Sequence, residues 1–306
     1  VNYYFDNQIE IKPFSGVIAK RPIGRKPWEI LQDELDLDNE IGSGSFGRVK
    51  KGATKGSFKH KRQVAVKICE KTDTKEILQF LREAYLARGL KHPNVCELIG
   101  IAVFDPPPKI VFELASDGCL LPKLQKGSPP PIPAKIGFCF DAACGLEYIA
   151  KCGILHLDIA ARNCLLTTNA YNKKPVKDQK GPLRLLISDF GLSQKTEKYV
   201  IGSGDHISQR WAAPEILKDF YAVSKSDVWS YGVLLWEIFS NGLNPYPDVQ
   251  VDRNLDFYLT VENKRMNPPK DTPPAIKTLM EKCWSLEPAD RPSFTDCRKI
   301  LENIKK

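Results

Sequence analysis

The sequence His156-Leu157-Asp158-Ile159-Ala160-Ala161-Arg162-Asn163 places two groups suited to chemistry, Asp158 and Asn163, close together. It is too short and too mixed in polarity to be a strand. A long run with helical apolar spacing precedes it and the apolar run 164–166 follows it, so we expect a loop held at both ends by buried elements. An isolated Asp in a polar loop more often forms a turn or caps a helix than acts as a base. The role of Asp158 therefore depends on the motifs around it.

The composition is that of an ordinary globular protein. The chain has 306 residues, 42% of them hydrophobic and 27% charged, which is enough for two lobes that each have a core. Its net charge of +8 permits anionic ligands such as nucleotides. Spread over this length, that charge does not indicate nucleic-acid binding, and no nucleic-acid partner is expected.

The cysteines and the apolar runs bear on the compartment. The nine cysteines include no C-x-x-C pair and lie mostly within apolar runs, which indicates free thiols in a reducing compartment. The most apolar stretch, 228–239, is too short to span a membrane and contains Glu237, so no integral membrane segment is expected. No secretory signal is visible, and we expect a cytoplasmic location. The chain does not begin with Met, which indicates a piece of a longer protein.

The hydrophobic pattern divides the chain into a β-rich part and a helical part. Residues 35–70 alternate as strands do, 73–91 show helical spacing, and 95–114 return to strand-like runs. From about residue 134 the chain is mainly helical, and 225–240 is apolar enough to form a helix buried on all sides. The change of pattern predicts an α+β protein of two lobes with a ligand cleft between them.

A glycine-rich motif lies in the β-rich part. Residues 42–49 follow the pattern G-x-G-x-x-G-x-V, in which glycines let backbone amides approach a polyphosphate. Dinucleotide-binding folds use the same glycines, but they require a helix directly afterwards and an acidic residue about 20 positions on. Here a strand-like run follows, and Lys67 stands at that distance from Gly47. The dinucleotide alternative is therefore disfavoured.

Charged residues at the ends of predicted elements suggest two pairs. Lys67 ends the strand-like run 64–67, and Glu83 lies in the predicted helix beside core-facing residues. A carboxylate near an apolar face needs a partner, and Lys67 is the obvious one. In the helical part, Arg291 is the natural partner of Glu215 if both are buried.

Two further residues supply oxygen atoms that could bind a metal ion. Asp189 follows the strand-like run 185–187, which places a carboxylate at a strand end. Together with the amide of Asn163 it supplies the hard oxygen ligands that suit Mg²⁺.

The glycine-rich loop, V-A-V-K, the helical Glu, H-x-D…N, D-F-G and A-P-E occur in the order and spacing of the protein kinase domain, which this chain resembles over about residues 35–304. The resemblance implies a bilobal α+β fold with an N-lobe of 35–112, a hinge of 113–118 and a C-lobe of 119–304. It also implies ATP and Mg²⁺ as cofactors.

Residue roles follow from the resemblance. Lys67, paired with Glu83, would hold the α- and β-phosphates, Asp158 would accept the substrate hydroxyl proton, and Asn163 and Asp189 would hold the metal ions. The implied structural residues are Glu215, Asp227 and Arg291. The implied nucleotide-binding residues, besides Lys67, are Ile41, Gly42, Ser43, Gly44, Ser45, Phe46, Gly47, Val49, Ala65, Glu113 and Ala115.

The catalytic loop resembles that of tyrosine kinases. Ala160 stands where serine/threonine kinases usually carry Lys, and Arg162 completes the A-A-R-N pattern. The segment 209–215 is also similar to the tyrosine kinases, and the flanking sequence is most similar to the non-receptor Fer/Fps group. The resemblance implies a non-receptor protein-tyrosine kinase whose partners are proteins with an acceptor tyrosine. Residues 1–34 are predicted to be a tail and linker, either an ordinary linker or the end of an upstream Src-homology-2 domain.

Three departures from the family pattern stand out. Leu157 replaces an Arg that normally pairs with a phosphorylated residue, so phosphorylation of Tyr199, the only Tyr between 189 and 215, is predicted to change activity weakly. The segment 167–184 is longer than the family's turn and has a net charge of +4, as in a solvated disordered loop. Ser208 replaces a common Pro and is expected to alter how the acceptor docks.

Two alternatives stay open at this point. Leu157 is the one feature that favours a catalytically weak or inactive pseudokinase scaffold. A serine/threonine or dual-specificity kinase is the other.

Overall fold

The computed structural model describes residues 26–44, 47–55, 62–169, 182–249 and 251–305. The predicted end of a Src-homology-2 domain therefore lies outside the described residues. Ser45, Phe46 and the middle of the predicted charged loop, 170–181, lie outside them as well.

A five-stranded antiparallel sheet forms the N-terminal lobe. Its strands have the spatial order β1-β2-β3-β5-β4. Their bounds are β1 (Leu35–Gly44), β2 (Gly47–Thr54), β3 (Gln63–Cys69), β4 (Leu98–Ala102) and β5 (Lys109–Glu113).

Strand β3 shows why the sheet has two different faces. Val64, Val66 and Ile68 alternate along it and pack into an apolar cluster on one face. Successive side chains of a strand point to opposite faces. Ala65 and Lys67 therefore project from the other face.

Helix α1 (Thr74–Ala87) is the one long helix of the described N-terminal lobe. The side chain of Asp73 accepts hydrogen bonds from the N–H groups of Lys75 and Glu76, which caps the start of the helix. Phe80 and Ala84 pack with residues of the sheet in a second apolar cluster. This contact places the rest of α1, including Glu83, beside β3.

Seven helices of the described chain build the C-terminal lobe. They are α2 (Leu120–Gln125), α3 (Ile132–Lys151), α4 (Pro214–Lys218), α5 (Ser224–Phe239), α6 (Val251–Thr260), α7 (Pro274–Cys283) and α8 (Phe294–Lys305). Every residue of α5 from 226 to 239 is buried, as the all-round apolar pattern predicts. The Tyr231 hydroxyl of α5 donates to the Cys139 carbonyl of α3 at 2.9 Å. Helices α3 and α5 therefore form the centre of the lobe.

Short strands carry the chain across the top of this lobe. They are β6 (Gly118–Cys119), β7 (Ile154–Leu155), β8 (Cys164–Thr167), β9 (Arg184–Ile187), β10 (Gln194–Lys195), β11 (Lys198–Val200) and β12 (Tyr221–Val223). The loop 156–163 runs between β7 and β8, and a 3-10 turn at Ala161–Asn163 ends it.

The bilobal α+β fold expected from the sequence is confirmed. Two details differ: α3 begins at Ile132 rather than near residue 134, and the predicted charged loop is shorter than 167–184. Thr167 pairs with Arg184 in the ladder between β8 and β9, and the Arg184 guanidinium donates to the Asn169 carbonyl. Arg184 is therefore a strand residue and not a solvated loop cation.

The cysteines and the helix lengths agree with the composition. All nine cysteines are free thiols. None of the helices in the described ranges has the length and apolarity that a bilayer crossing requires.

A buried ion pair joins α4 to the C-terminal helices. Arg291 makes two parallel bonds to Glu215, at 2.7 and 2.8 Å, and both side chains are buried. Ser226 of α5 donates to the same carboxylate at 2.6 Å. Such a pair contributes little compared with apolar residues, but removing one partner leaves a buried charge uncompensated.

Glu215→Ala should therefore destabilise the domain by about 3 kcal/mol, measured as the free energy of unfolding in urea. The matched control is Glu302→Ala, since Glu302 pairs with Arg298 at 3.2 Å but is half exposed. Its cost should be at most about 0.5 kcal/mol. Equal losses for the two variants would contradict this account of the buried pair.

Candidate active site

The loop 156–163 is held in place by one buried carboxylate of α5. The N–H groups of His156 and Leu157 donate to Asp227, at 2.7 and 2.9 Å. Leu157 has a φ of 65°, a conformation that costs a non-glycine residue about 1–3 kcal/mol. Hydrogen bonds to a charged group contribute about 1.5–3 kcal/mol each. Asp227 therefore outweighs the strain and fixes the turn that precedes Asp158.

Both carboxylate oxygens of Asp158 accept hydrogen bonds. Oδ1 accepts from Arg162 Nη2 at 2.5 Å and from the Ser208 hydroxyl at 2.8 Å. Oδ2 accepts from the Asn163 amide at 2.6 Å, and the same amide donates to the Asp158 carbonyl at 2.8 Å. The carboxylate is therefore oriented by three neighbours.

The charge pair foreseen between Lys67 and Glu83 forms at the cleft. Lys67 Nζ lies 2.6 Å from Glu83 Oε2 and 3.8 Å from Asp189 Oδ1. Burial lowers the pKa of Lys67, but the two carboxylates outweigh burial and leave the pKa above its ordinary value. The amine is therefore a cation at neutral pH, and its pair with Glu83 links α1 to β3.

Asp189 and Asn163 are brought to the same end of the cleft. Asp189 has a φ of 64°, and the N–H of Gly191 donates to its Oδ1 at 3.1 Å. The neighbouring Ser188 donates to the Asn163 carbonyl from both its N–H and its hydroxyl, at 3.0 and 2.9 Å. These bonds tie the end of β9 to the loop that carries Asp158.

Two of the predicted nucleotide-binding residues, Val49 and Ala65, lie on the sheet face that carries Lys67. Val49 pairs with Lys67 in the β2–β3 ladder, and Ala65 lies two positions before Lys67 on the same face. Gly47 has a φ of 150°, and a Cβ there would lie 2.1 Å from the Ile68 carbonyl oxygen. Only glycine fits this close approach of backbones. On β1, the predicted residues Ile41, Gly42 and Ser43 are exposed, and Gly44 ends the strand.

The chain leaves the sheet at Glu113, the last residue of β5. The side chain of Glu113 accepts the N–H of Glu97 at 2.9 Å, so this carboxylate belongs to the strand pairing with β4. Burial raises the pKa of Glu113. Ala115 accepts the N–H of Gly118 at 3.4 Å in the connection to β6. A contribution of Glu113 and Ala115 to adenine binding stays a prediction.

Glu237 interrupts the apolar run 228–239, and the structure places it beside the loop that carries Asp158. Its Oε2 accepts the N–H of Ala161 and the indole N–H of Trp211, both at 2.9 Å. Burial raises the pKa of Glu237 to about 7, against the lowering effect of these hydrogen bonds. The Arg162 guanidinium lies 4.2 Å from the centre of the Trp211 ring. The sequence signal for this role is a carboxylate within an apolar run, since a buried carboxylate needs hydrogen-bond partners.

Leu157 packs against the segment 189–215, which we call the activation segment. Its side chain belongs to an apolar cluster with Ile207, Ala212 and Ile216. The Tyr199 hydroxyl donates to Asp205 Oδ2 at 2.7 Å. Burial, followed by Asp205, raises the pKa of Tyr199.

Two cations make contacts at this segment. Arg210 donates to the carbonyls of Pro245 and Tyr246 at 2.6 Å and therefore fastens the segment to the lobe. Arg82 of α1 lines a cavity of about 450 Å³ together with Tyr199. Arg82 donates to Gln194.

A buried lysine–glutamate pair, an oriented aspartate and two oxygen donors in a cleft between a β-lobe and a helical lobe are the features of the protein kinase class. The family model described as protein tyrosine and serine/threonine kinase matches residues 35–301. The chain belongs to this family.

Curated relatives include named tyrosine-protein kinases. The chain is 35% identical to tyrosine-protein kinase Fer of Rattus norvegicus over 318 residues, which covers all of the chain and 36% of Fer. It is 35% identical to tyrosine-protein kinase ABL2 of Mus musculus over 94% of the chain and 23% of ABL2. It is 34% identical to the transforming protein Fps of Fujinami sarcoma virus over all of the chain and 34% of that protein. The chain thus spans about a third of the length of Fer and Fps.

Glu237→Gln should change how stability depends on pH. The native pKa of about 7 exceeds the ordinary value of 4.5, so the folded state keeps a proton that the unfolded state loses, and stability falls as pH rises through this window. Glutamine keeps an acceptor oxygen and does not titrate. The free energy of unfolding of the variant, relative to wild type, should therefore rise by about 3 kcal/mol between about pH 4 and pH 8.

Urea unfolding at a series of pH values measures this difference. Glu302→Gln, a change at a half-exposed carboxylate, is the control and should give a curve parallel to wild type. A parallel curve for Glu237→Gln would show that folding does not raise the pKa of Glu237.

Proposed function

We propose that this chain is the catalytic domain of a protein-tyrosine kinase, which transfers the γ-phosphate of ATP to tyrosine hydroxyls of proteins. One observation carries the proposal. A continuous series of contacts joins Lys67 to Asp189 at 3.8 Å, and the Ser188–Asn163 and Asn163–Asp158 bonds extend it to the oriented carboxylate. The cation for phosphate and the base for the hydroxyl are thereby held in one rigid arrangement, as positioning catalysis requires.

The proposed reaction is an in-line displacement. The acceptor oxygen bonds to the γ-phosphorus, and its proton passes to the carboxylate of Asp158. The bond between the γ-phosphorus and the bridging oxygen breaks, and ADP leaves with the electron pair. Lys67 neutralises phosphate charge, and Glu83 keeps Lys67 in place. No covalent enzyme intermediate is needed.

The donor atoms fit Mg²⁺. The Asn163 amide uses its nitrogen toward Asp158, which leaves the amide oxygen to face a cation, and the Asp189 side chain is 44% exposed. Two protein oxygens completed by water and substrate phosphate are the usual Mg²⁺ arrangement. Among the described residues no cluster of three or more His, Cys, Asp or Glu forms a closed metal site. When bound, Mg²⁺ would neutralise charge on the transferring phosphates.

The tyrosine preference is supported by the acceptor side of the site. Ala160 is buried and adds no charge beside Asp158. Arg162 pairs with Asp158 and lies over the Trp211 ring, so a cation and an aromatic ring stand beside the base. An acceptor whose hydroxyl extends far from its backbone, such as tyrosine, suits a base that is covered in this way. The names of the relatives favour the same class.

The remaining assignments are also part of this proposal. We expect a cytoplasmic signalling protein with an upstream Src-homology-2 domain, an expectation that rests on the resemblance of residues 1–4 to the end of such a domain. Leu157 is proposed to order the activation segment by apolar packing. A pseudokinase scaffold remains the rival hypothesis.

Purified wild-type domain with Mg-ATP and a mixed Tyr/Ser/Thr peptide library should yield mainly phosphotyrosine. Asp158→Asn should lower kcat by about 10²–10⁴-fold through loss of the general base, with ATP affinity kept. Phosphoamino-acid analysis identifies the acceptor. Mainly phosphoserine or phosphothreonine would favour the dual-specificity alternative, and wild-type transfer no faster than Asp158→Asn would favour the scaffold.

Phosphorylation of Tyr199 should change kcat/KM by less than about tenfold, equivalent to 1.4 kcal/mol. The reason is that Tyr199 bonds to Asp205, an acid that repels phosphate, and that Leu157 replaces the expected cation. The measurement compares dephosphorylated, phosphorylated and Tyr199→Phe protein. Leu157→Arg should create a dependence on phosphorylation. A larger rise in the wild-type protein would point to Arg82, which lines the same cavity, as the phosphate partner.

A further inference from the structure

The Ser208 hydroxyl contacts the proposed base directly. Its Oγ lies 2.8 Å from Asp158 Oδ1 and 2.9 Å from Arg162 Nη2. A guanidinium nitrogen donates and cannot accept, so Arg162 must donate to Ser208. The single hydroxyl proton of Ser208 must therefore point to Asp158. The direction of both bonds follows from this chemistry alone.

Ser208 is held firmly by the elements on both sides of the contact. Its carbonyl accepts the N–H of Trp211 at 2.9 Å, which starts the 3-10 turn Gln209–Trp211. The indole N–H of Trp211 donates to buried Glu237, and Arg210 donates to carbonyls ahead of α6. The hydroxyl is thus positioned by α5 and by the connection to α6, so it can orient a neighbouring group.

The orientation of a carboxylate needs such support. The terminal torsion of an Asp side chain has broad, roughly two-fold minima, so the carboxylate rotates easily unless hydrogen bonds hold it. Arg162 and Ser208 hold Oδ1, whereas Oδ2 accepts only from Asn163 among the described residues. The Asn163 amide also bonds the Asp158 carbonyl at 2.8 Å, so it can release Oδ2 and stay in place.

We propose that Ser208 is a positioning residue, whose hydroxyl holds Oδ1 of Asp158 so that Oδ2 is presented to the acceptor hydroxyl. The inference rests on the phosphotransfer proposed above. The acceptor proton then passes to Oδ2 as the acceptor oxygen bonds to the γ-phosphorus and ADP leaves. The proton of Ser208 stays on Ser208 throughout, so Ser208 takes no part in the bond changes.

Three substitutions separate the hydroxyl from the shape of the residue. Ser208→Ala removes the hydroxyl, and Ser208→Thr keeps it. Ser208→Pro also removes it, and the φ of −78° at this position suits proline. The matched control is Ser203→Ala, the same change at an exposed position of the activation segment.

Steady-state kinetics on a tyrosine peptide should show a loss in kcat and not in ATP binding. The Ala and Pro variants should lose about 10- to 150-fold in kcat, as expected for one hydrogen bond to a charged group, with the KM for ATP within about twofold of wild type. Ser208→Thr should keep at least about half of the wild-type kcat, since it retains the donor. Ser203→Ala should match wild type.

Two results would overturn the inference while the proposed function stands. One is a kcat within about twofold of wild type for both Ser208→Ala and Ser208→Pro. The other is a Thr variant as slow as the Ala variant, which would make the effect one of packing. If Ser208→Ala does not fold, Ser208→Pro and Ser208→Thr carry the comparison.

A stability measurement tests the contact independently of catalysis. In a double-mutant cycle, Ser208→Ala and Asp158→Ala should shift the urea midpoint non-additively, because each change removes one partner of the bond. Additive shifts would refute the contact. Absence of phosphate transfer by the wild-type protein, together with non-additive shifts, would refute the kinase proposal and leave the contact established.

Discussion

The bond between Asp227 and the backbone of His156 and Leu157 is the constraint on which the site depends. Helix α5 is buried along almost its whole length, so a carboxylate at its first turn has a fixed position. By accepting two N–H groups at 2.7 and 2.9 Å, Asp227 converts that fixed position into a fixed turn. Lower along the same helix, Glu237 holds Ala161 in the same way. The loop that carries Asp158 is therefore attached to the core of the lobe at both ends.

Electrostatics then connects the two lobes. The Lys67–Glu83 pair joins β3 to α1, and the contact of Lys67 with Asp189 extends it to the end of β9. Burial lowers the pKa of Lys67, but the facing carboxylates outweigh burial, so the amine stays charged. A displacement of α1 would leave Lys67 without its main partner. The geometry of the cleft thus depends on the packing of Phe80 and Ala84 against the sheet.

Much of this arrangement could be predicted from the sequence because its signals are local. The alternation along β3 and the apolar length of α5 predicted their burial, and a helical carboxylate beside core residues predicted the partner of Lys67. The partners of Ser208 and Glu237 could not be assigned in this way, because their contacts with the catalytic loop join residues far apart in sequence with no periodic signal between them. The contacts of Arg184 and Arg210 were not foreseen either, since backbone carbonyls carry no sequence signature.

The replacement of a cation by Leu157 has a consequence for how the activation segment responds to solvent. A contact between arginine and phosphate weakens as ionic strength rises, because dissolved ions screen the two charges. The apolar cluster against which Leu157 packs, which includes Ala212 and Ile216, carries no charge. Salts excluded from protein surfaces strengthen such contacts, and cooling weakens them. The contribution of this cluster to the order of the segment should therefore respond to temperature and cosolvent rather than to salt.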